Sequence, residues 1–161
     1  MNFQYLLPFW FFHWCEGTGL GSMIQQSKWS FAVIETIHIM ALAVLLGSFL
    51  IVDLRLFGLG MKKLTVAEVA AQFGVTSWVS FIVMVATGIP MYLSEAVRLS
   101  TSSPFFYKMV FLCLALLFHL TVHRRATKSG GAGTGLAKIA ASLSLVCWLA
   151  VALAGRAIAF L

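Results

Sequence analysis

Residues Trp29–Leu59 read WSFAVIETIHIMALAVLLGSFLIVDLRLFGL. A helix of about 20 mostly apolar residues crosses the hydrocarbon core of a bilayer. From Trp29 to Val52 the only ionisable side chains are Glu35 and His38. A helix at a soluble surface has one apolar face and one polar face. This one is apolar all round, so it is built to sit in lipid. Three more stretches pass the same test: Phe73–Leu93, Phe105–Val122 and Ile139–Leu161. Their short connections keep sequential helices adjacent and antiparallel. The expected fold is therefore all-α, an integral membrane four-helix bundle. It forms a single transmembrane domain over residues 1–161, with spans at about 29–52, 73–93, 105–122 and 139–161.

Composition agrees with this. Of 161 residues, 61% are apolar and 10% are charged, against about 25% charged in soluble domains. Ahead of the first span, QYLLPFWFFHWCEG (Gln4–Gly17) is too short to cross, has no positive amino-terminal region and is crowded with Trp and Phe. Such rings settle at the headgroup boundary. A short interfacial helix is expected over about residues 4–15, in place of a cleaved signal peptide.

The 11 Lys and Arg outnumber the 5 Asp and Glu. They lie in the gaps between apolar runs and not on an aromatic-interleaved face, which excludes nucleic acid as partner. Arg55, Lys62 and Lys63 occupy the first connection; Arg124, Arg125, Lys128 and Lys138 occupy the third, around a Gly-rich SGGAGTG. Lys28, Arg98 and Lys108 lie on the other side beside Glu16 and Glu95. The positive-inside rule makes the two basic loops cytoplasmic and both termini periplasmic in a bacterial inner membrane. Cys15, Cys113 and Cys147 form no CxxC or CxxCH pattern, so neither a disulfide framework nor covalent haem attachment is indicated.

Ionisable groups inside spans point to function by default. Glu35 and His38 are three apart and share a helix face; His119 and His123 are four apart and share another, with Lys108 near the same stripe. Neutral imidazoles facing each other across a bundle can hold a b-type haem. The expected axial pair is His38 with His119, with His123 as the alternative to His119. Arg156 would meet a propionate, and Glu35 lies beside His38. Against this, His38 is on one side of its span's middle and His119 on the other side of its own, a height difference of roughly 10 Å. Other readings stay open. His38 can be a packing element bonded to Glu35, and His119 with His123 can mark the interface or hold an ion without an evident third ligand. Glu35, His38, Glu95 and Arg156 can also form a polar cluster near the outer boundary that handles a proton, metal ion or lipid group. Asp53 and Arg55, two apart, read as interface anchors.

Taken together, ETIH (35–38), GSFLIVDLRLFG (47–58), SEA (94–96), SPFFYK (103–108) and GRAIAF (155–160) resemble a family of uncharacterised four-helix bacterial inner-membrane proteins over nearly the whole chain. The resemblance implies that Glu35, His38, Asp53, Arg55, Glu95, Lys108 and Arg156 occupy motif positions, with the later histidine motif on His119 or His123. A more distant similarity, to four-helix b-type cytochromes and copper-resistance membrane proteins, rests on a span-borne His. The expected function is a membrane-embedded electron-transfer subunit binding haem b and exchanging electrons with a quinone or a redox partner protein. The alternative is a small transport or complex-assembly protein with the outer Glu/His/Arg cluster and no cofactor. A structural role as a homo-oligomer or part of a larger membrane complex is the third. No nucleophile with an attendant base and no phosphate-cradling loop is present, so an independent hydrolase or transferase is not indicated.

Overall fold

The computed structural model describes residues 3–123, 125, 127 and 131–160. Arg124, Lys128 and the first two residues of SGGAGTG lie outside the described residues. Among the described residues, seven α-helices with full bounds follow one another: α1 (Phe9–Glu16), α2 (Gly19–Gln26), α3 (Ser30–Leu56), α4 (Val66–Ser94), α5 (Ala96–Thr101), α6 (Ser103–Phe118) and α7 (Gly135–Ala157). A 3-10 turn, Phe3–Tyr5, precedes them and another, Ile158–Phe160, follows; α6 runs on as a π-turn at His119–His123. Among the described residues, four helices, at Ser30–Leu56, Val66–Ser94, Ser103–His123 and Gly135–Ala157, are long and apolar enough to cross a membrane. The chain is an all-helical, multi-pass membrane protein.

The helices overrun the apolar stretches because polar caps, not the last apolar residue, end them. Thr65 starts α4 seven residues or more before the apolar run: its hydroxyl accepts from Glu68 N, and Glu68 accepts from Thr65 N at 2.7 Å. This reciprocal box satisfies amide protons that a helix start leaves without partners. Ser102, with Pro104 in the first turn, starts α6, and Thr134 starts α7 by accepting from Ala137 N.

α3 lies along α4, α6 lies along α7, and α3 against α7 joins the two pairs; α4 and α6 make no comparable contact. The shared core is Ala41, Leu45, Phe49, Met84, Ala115, Trp148 and Val151. On α3 it follows the i, i+4 series 41, 45, 49, which continues to Asp53. Large side chains such as Val44, Ile82 and Leu153 stay exposed on the outer faces, as expected of helices that lipid surrounds.

The α3–α4 and α6–α7 connections meet at one end, hereafter the basic end. There Gly133 N donates to Leu56 O at 2.9 Å. Gly58 (φ +85°) and Gly133 (φ +76°) lie near each other, a Cβ on Gly58 coming 3.4 Å from Gly133 Cα, and this left-handed conformation favours glycine. Arg55 Nε donates to Leu64 O at 2.8 Å and ties the first loop.

At the opposite, terminal end, the expected single interfacial helix is broken. Pro8 starts α1, Gly17 ends it, and Thr18 caps α2. Phe12 and Cys15 are buried against Ala96 of α5. Glu16 Oε1 accepts from Val97 N at 2.8 Å, and Gln25 Nε2 donates to Ser94 O at 2.7 Å. Tyr5, Trp10, Trp14 and Trp29 remain exposed.

Candidate functional site

Toward the basic end, one face of α4 carries Ala67, Ala70, Ala71, Gly74 and Ser77, a helical spacing that presents only small side chains. Because α4 and α6 do not close on each other, these residues border a cavity of about 600 Å³. Its other walls include Phe49, Trp78, Phe81 and Trp148, with His119 and His123 supplying the polar edge.

The two histidines are placed by the π-turn. Winding His119–His123 more loosely than an α-helix shifts the direction of each side chain, a feature often found at functional sites. The two rings stack with centroids 4.8 Å apart, and His119 also lies on Phe49 at 4.4 Å. His123 Nε2 stands 2.7 Å from Asp53 Oδ1; the side chains are 3% and 0% exposed. Ser144, buried on α7, is beside the carboxylate. Among the described residues, however, neither its hydroxyl nor Asp53 Oδ2 has a partner at hydrogen-bonding distance. A carboxylate buried in this way is costly unless it is paired, so His123 is the group that makes Asp53 tolerable there.

Asp53 is thus a core residue and not the interface anchor its sequence neighbourhood suggested. The physical reason is the i, i+4 series from Ala41: a residue continuing that stripe faces the bundle, whatever its charge. That series was the available signal. Arg55, in contrast, does anchor the loop.

His38 belongs to a separate polar site in the terminal half. Thr87 Oγ1 donates to Val83 O at 2.7 Å and accepts from His38 Nδ1 at 2.9 Å. Gly88 lets the ring lie against α4, since a Cβ there would be 3.3 Å from His38 Cε1. Lys108 is close enough to act electrostatically on His38, its stem crossing Gly155.

This arrangement does not fit the expected haem pair. His119 packs on Phe49, which is eleven residues beyond His38 on α3, a rise of about 16 Å. The two rings are therefore too far apart along the bundle to share one iron. Nor are the outer groups drawn together as expected. Glu95 pairs with Arg98, and the Arg156 guanidinium lies 4.9 Å from the centre of the Phe160 ring. Glu35, half-buried, enters no ion pair among the described residues. No cluster of three or more His, Cys, Asp or Glu suited to a metal ion occurs among them either.

In a comparison with known families, a model described as a family of unknown function (DUF6644) matches residues 11–161. The chain belongs to that family. The match takes in the cavity, the Asp53–His123 pair and the His38 site, so all three lie in the part of the chain that DUF6644 covers. No curated protein and no solved structure matches the chain.

Proposed function

We propose that this protein is a subunit of the bacterial inner membrane that takes part in electron transfer by binding a lipid-soluble ring compound of the quinone class. The observation that carries this reading is the aromatic cavity beside His119 and His123. Small-ligand sites are commonly 300–1,000 Å³, apolar with a few polar groups, and placed between the helices of bundles. The gap between α4 and α6 offers a ligand dissolved in lipid a lateral route. A lipophilic cation suits the site less well, because Arg55, Lys62 and Lys63 stand at the same end. Under the positive-inside rule that end is cytoplasmic.

Trp78 and Trp148 line the cavity, which supplies the test. Decylubiquinone added to the purified protein is expected to quench tryptophan fluorescence saturably, with a Kd on the order of micromolar, about −8 kcal/mol. Replacing both residues by Phe removes most of that quenching. Unsaturable quenching, or quenching unchanged in the double variant, overturns the reading.

A single b-type haem held by His119 from the cavity wall is the second reading, favoured by the aromatic walls around that imidazole. It does not use the His38–His119 pair. A Soret band after expression with ample haem, lost in His119→Ala and retained in His38→Ala, would establish it in place of the quinone.

A further inference from the structure

Asp53 does not border the cavity; His123 does, with Asp53 directly behind it. With Asp53 ionised, its carboxylate has lone pairs only, and at 2.7 Å it accepts from His123 Nε2. A neutral imidazole has one N–H, which leaves Nδ1 as a hydrogen-bond acceptor. The ring cannot readily turn to exchange the two nitrogens. One face is stacked on His119, His119 packs on Phe49 at a tilt of 43°, and the Phe49 ring centre lies 4.8 Å from that of Trp148.

With the carboxylate ionised and the ring neutral the pair carries one negative charge, and no other titratable side chain of α3, α4 or α7 is in ion-pair contact with it among the described residues. A hydroxyl donating to Nδ1 draws positive charge onto the ring next to the carboxylate, which offsets the burial of that charge. A carbonyl oxygen at the same place would meet another acceptor and leave both without a proton.

We propose that the cavity selects the hydroxylated form of its ring ligand, a quinol or phenol whose O–H donates to His123 Nδ1. Asp53 acts through His123, as the positioning residue that keeps Nδ1 an acceptor. This inference rests on the cavity being a ring-compound site, and it adds which oxidation state and which functional group the site reads.

The test separates the two. Decylubiquinone serves as the fluorescence reporter in the full-length protein, and two competitors displace it under anaerobic conditions. These are decylubiquinol and its dimethyl ether, which have the same ring and tail but differ in the O–H groups. The quinol is expected to displace the reporter at about tenfold lower concentration than the ether, the ratio worth about 1.4 kcal/mol. In Asp53→Asn, whose amide can donate to Nε2 and so move the ring proton to Nδ1, the ratio should fall to within about twofold while the reporter still quenches. His123→Gln is expected to lose the ratio as well, and serves where Asp53→Asn does not fold. A ratio near one in the wild type overturns the proposal, as does an undiminished ratio in a folded variant, and in both cases the ring-compound site stands. Absence of reporter quenching overturns that site and the proposal together.

Discussion

Replacing Asp53 by Ala should destabilise the solubilised protein by about 1–3 kcal/mol, the range for leaving a buried donor, here His123 Nε2–H, without its acceptor. The Asp53 side chain is fully buried, and its partner His123 is 3% exposed, so water cannot take the place of the lost group. The double replacement Asp53→Leu with His123→Phe should recover most of that loss. Apolar side chains of similar size remove the desolvation penalty along with the attraction, and such exchanges are often neutral or stabilising. Thermal unfolding followed by circular dichroism, with elution profiles before and after heating, gives both values. Equal losses in the single and double variants would show that the pair's value lies in its shape and not in its charges. Selectivity for the quinol over its ether should stay absent in the double variant however stable it is, which separates the chemistry of the pair from its contribution to folding.

The second large effect concerns the terminal end. A Cβ on Gly21 would come within 2.8 Å of Leu93 O and 2.9 Å of Glu16 O. Both are backbone atoms, one on α4 and one at the end of α1, so neither can swing aside as a side chain would. Gly21→Ala is expected to cost about 1–3 kcal/mol, the range for overpacking, and to lift α2 from α4. The bond from Gln25 Nε2 to Ser94 O would be lost with it. Hydrogen exchange should rise over Gly19–Gln26 and remain unchanged in α7. Uniform acceleration throughout the bundle would contradict a local role for this contact.

The two polar sites are separated along the bundle, and their construction differs. At the terminal half, a threonine and two glycines fit one imidazole and one ammonium stem between packed helices, and these residues do not line the cavity of about 600 Å³. At the basic half, small residues on α4 leave open volume, and the ionisable pair closes its edge. Buried polar groups that have partners but no adjoining space stabilise a particular packing; those beside space can meet a ligand. This is why the functional proposal rests on His123 and not on His38, although His38 is the more conspicuous residue in the sequence.

Much of the architecture was legible in the chain. Four apolar runs with polar interruptions leave few alternatives, since backbone amides in lipid must be satisfied within the segment, which helices do. The helix ends were less legible. Thr65 and Thr134 were readable as caps, but an apolar window stops where hydropathy falls and not where the hydrogen bonding ends. The outer cluster of Glu35, His38, Glu95 and Arg156 was inferred from height alone. Height does not determine azimuth, and Glu95 found Arg98 three residues away, a neighbour on its own helical turn.

By itself the sequence determined the solvent, the number of crossings, the basic loops and the presence of ionisable groups within the spans. These follow from transfer free energy and helical rise, which are local properties of each segment. Tertiary structure decided which of those groups meet. The π-turn at His119–His123 changes the direction of both rings without any change in spacing along the chain. The gap between α4 and α6 depends on how two helix pairs join through α3 and α7. A pairing such as Asp53 with His123, seventy residues apart, is set by that packing, because no periodicity within one helix specifies the helix it will face.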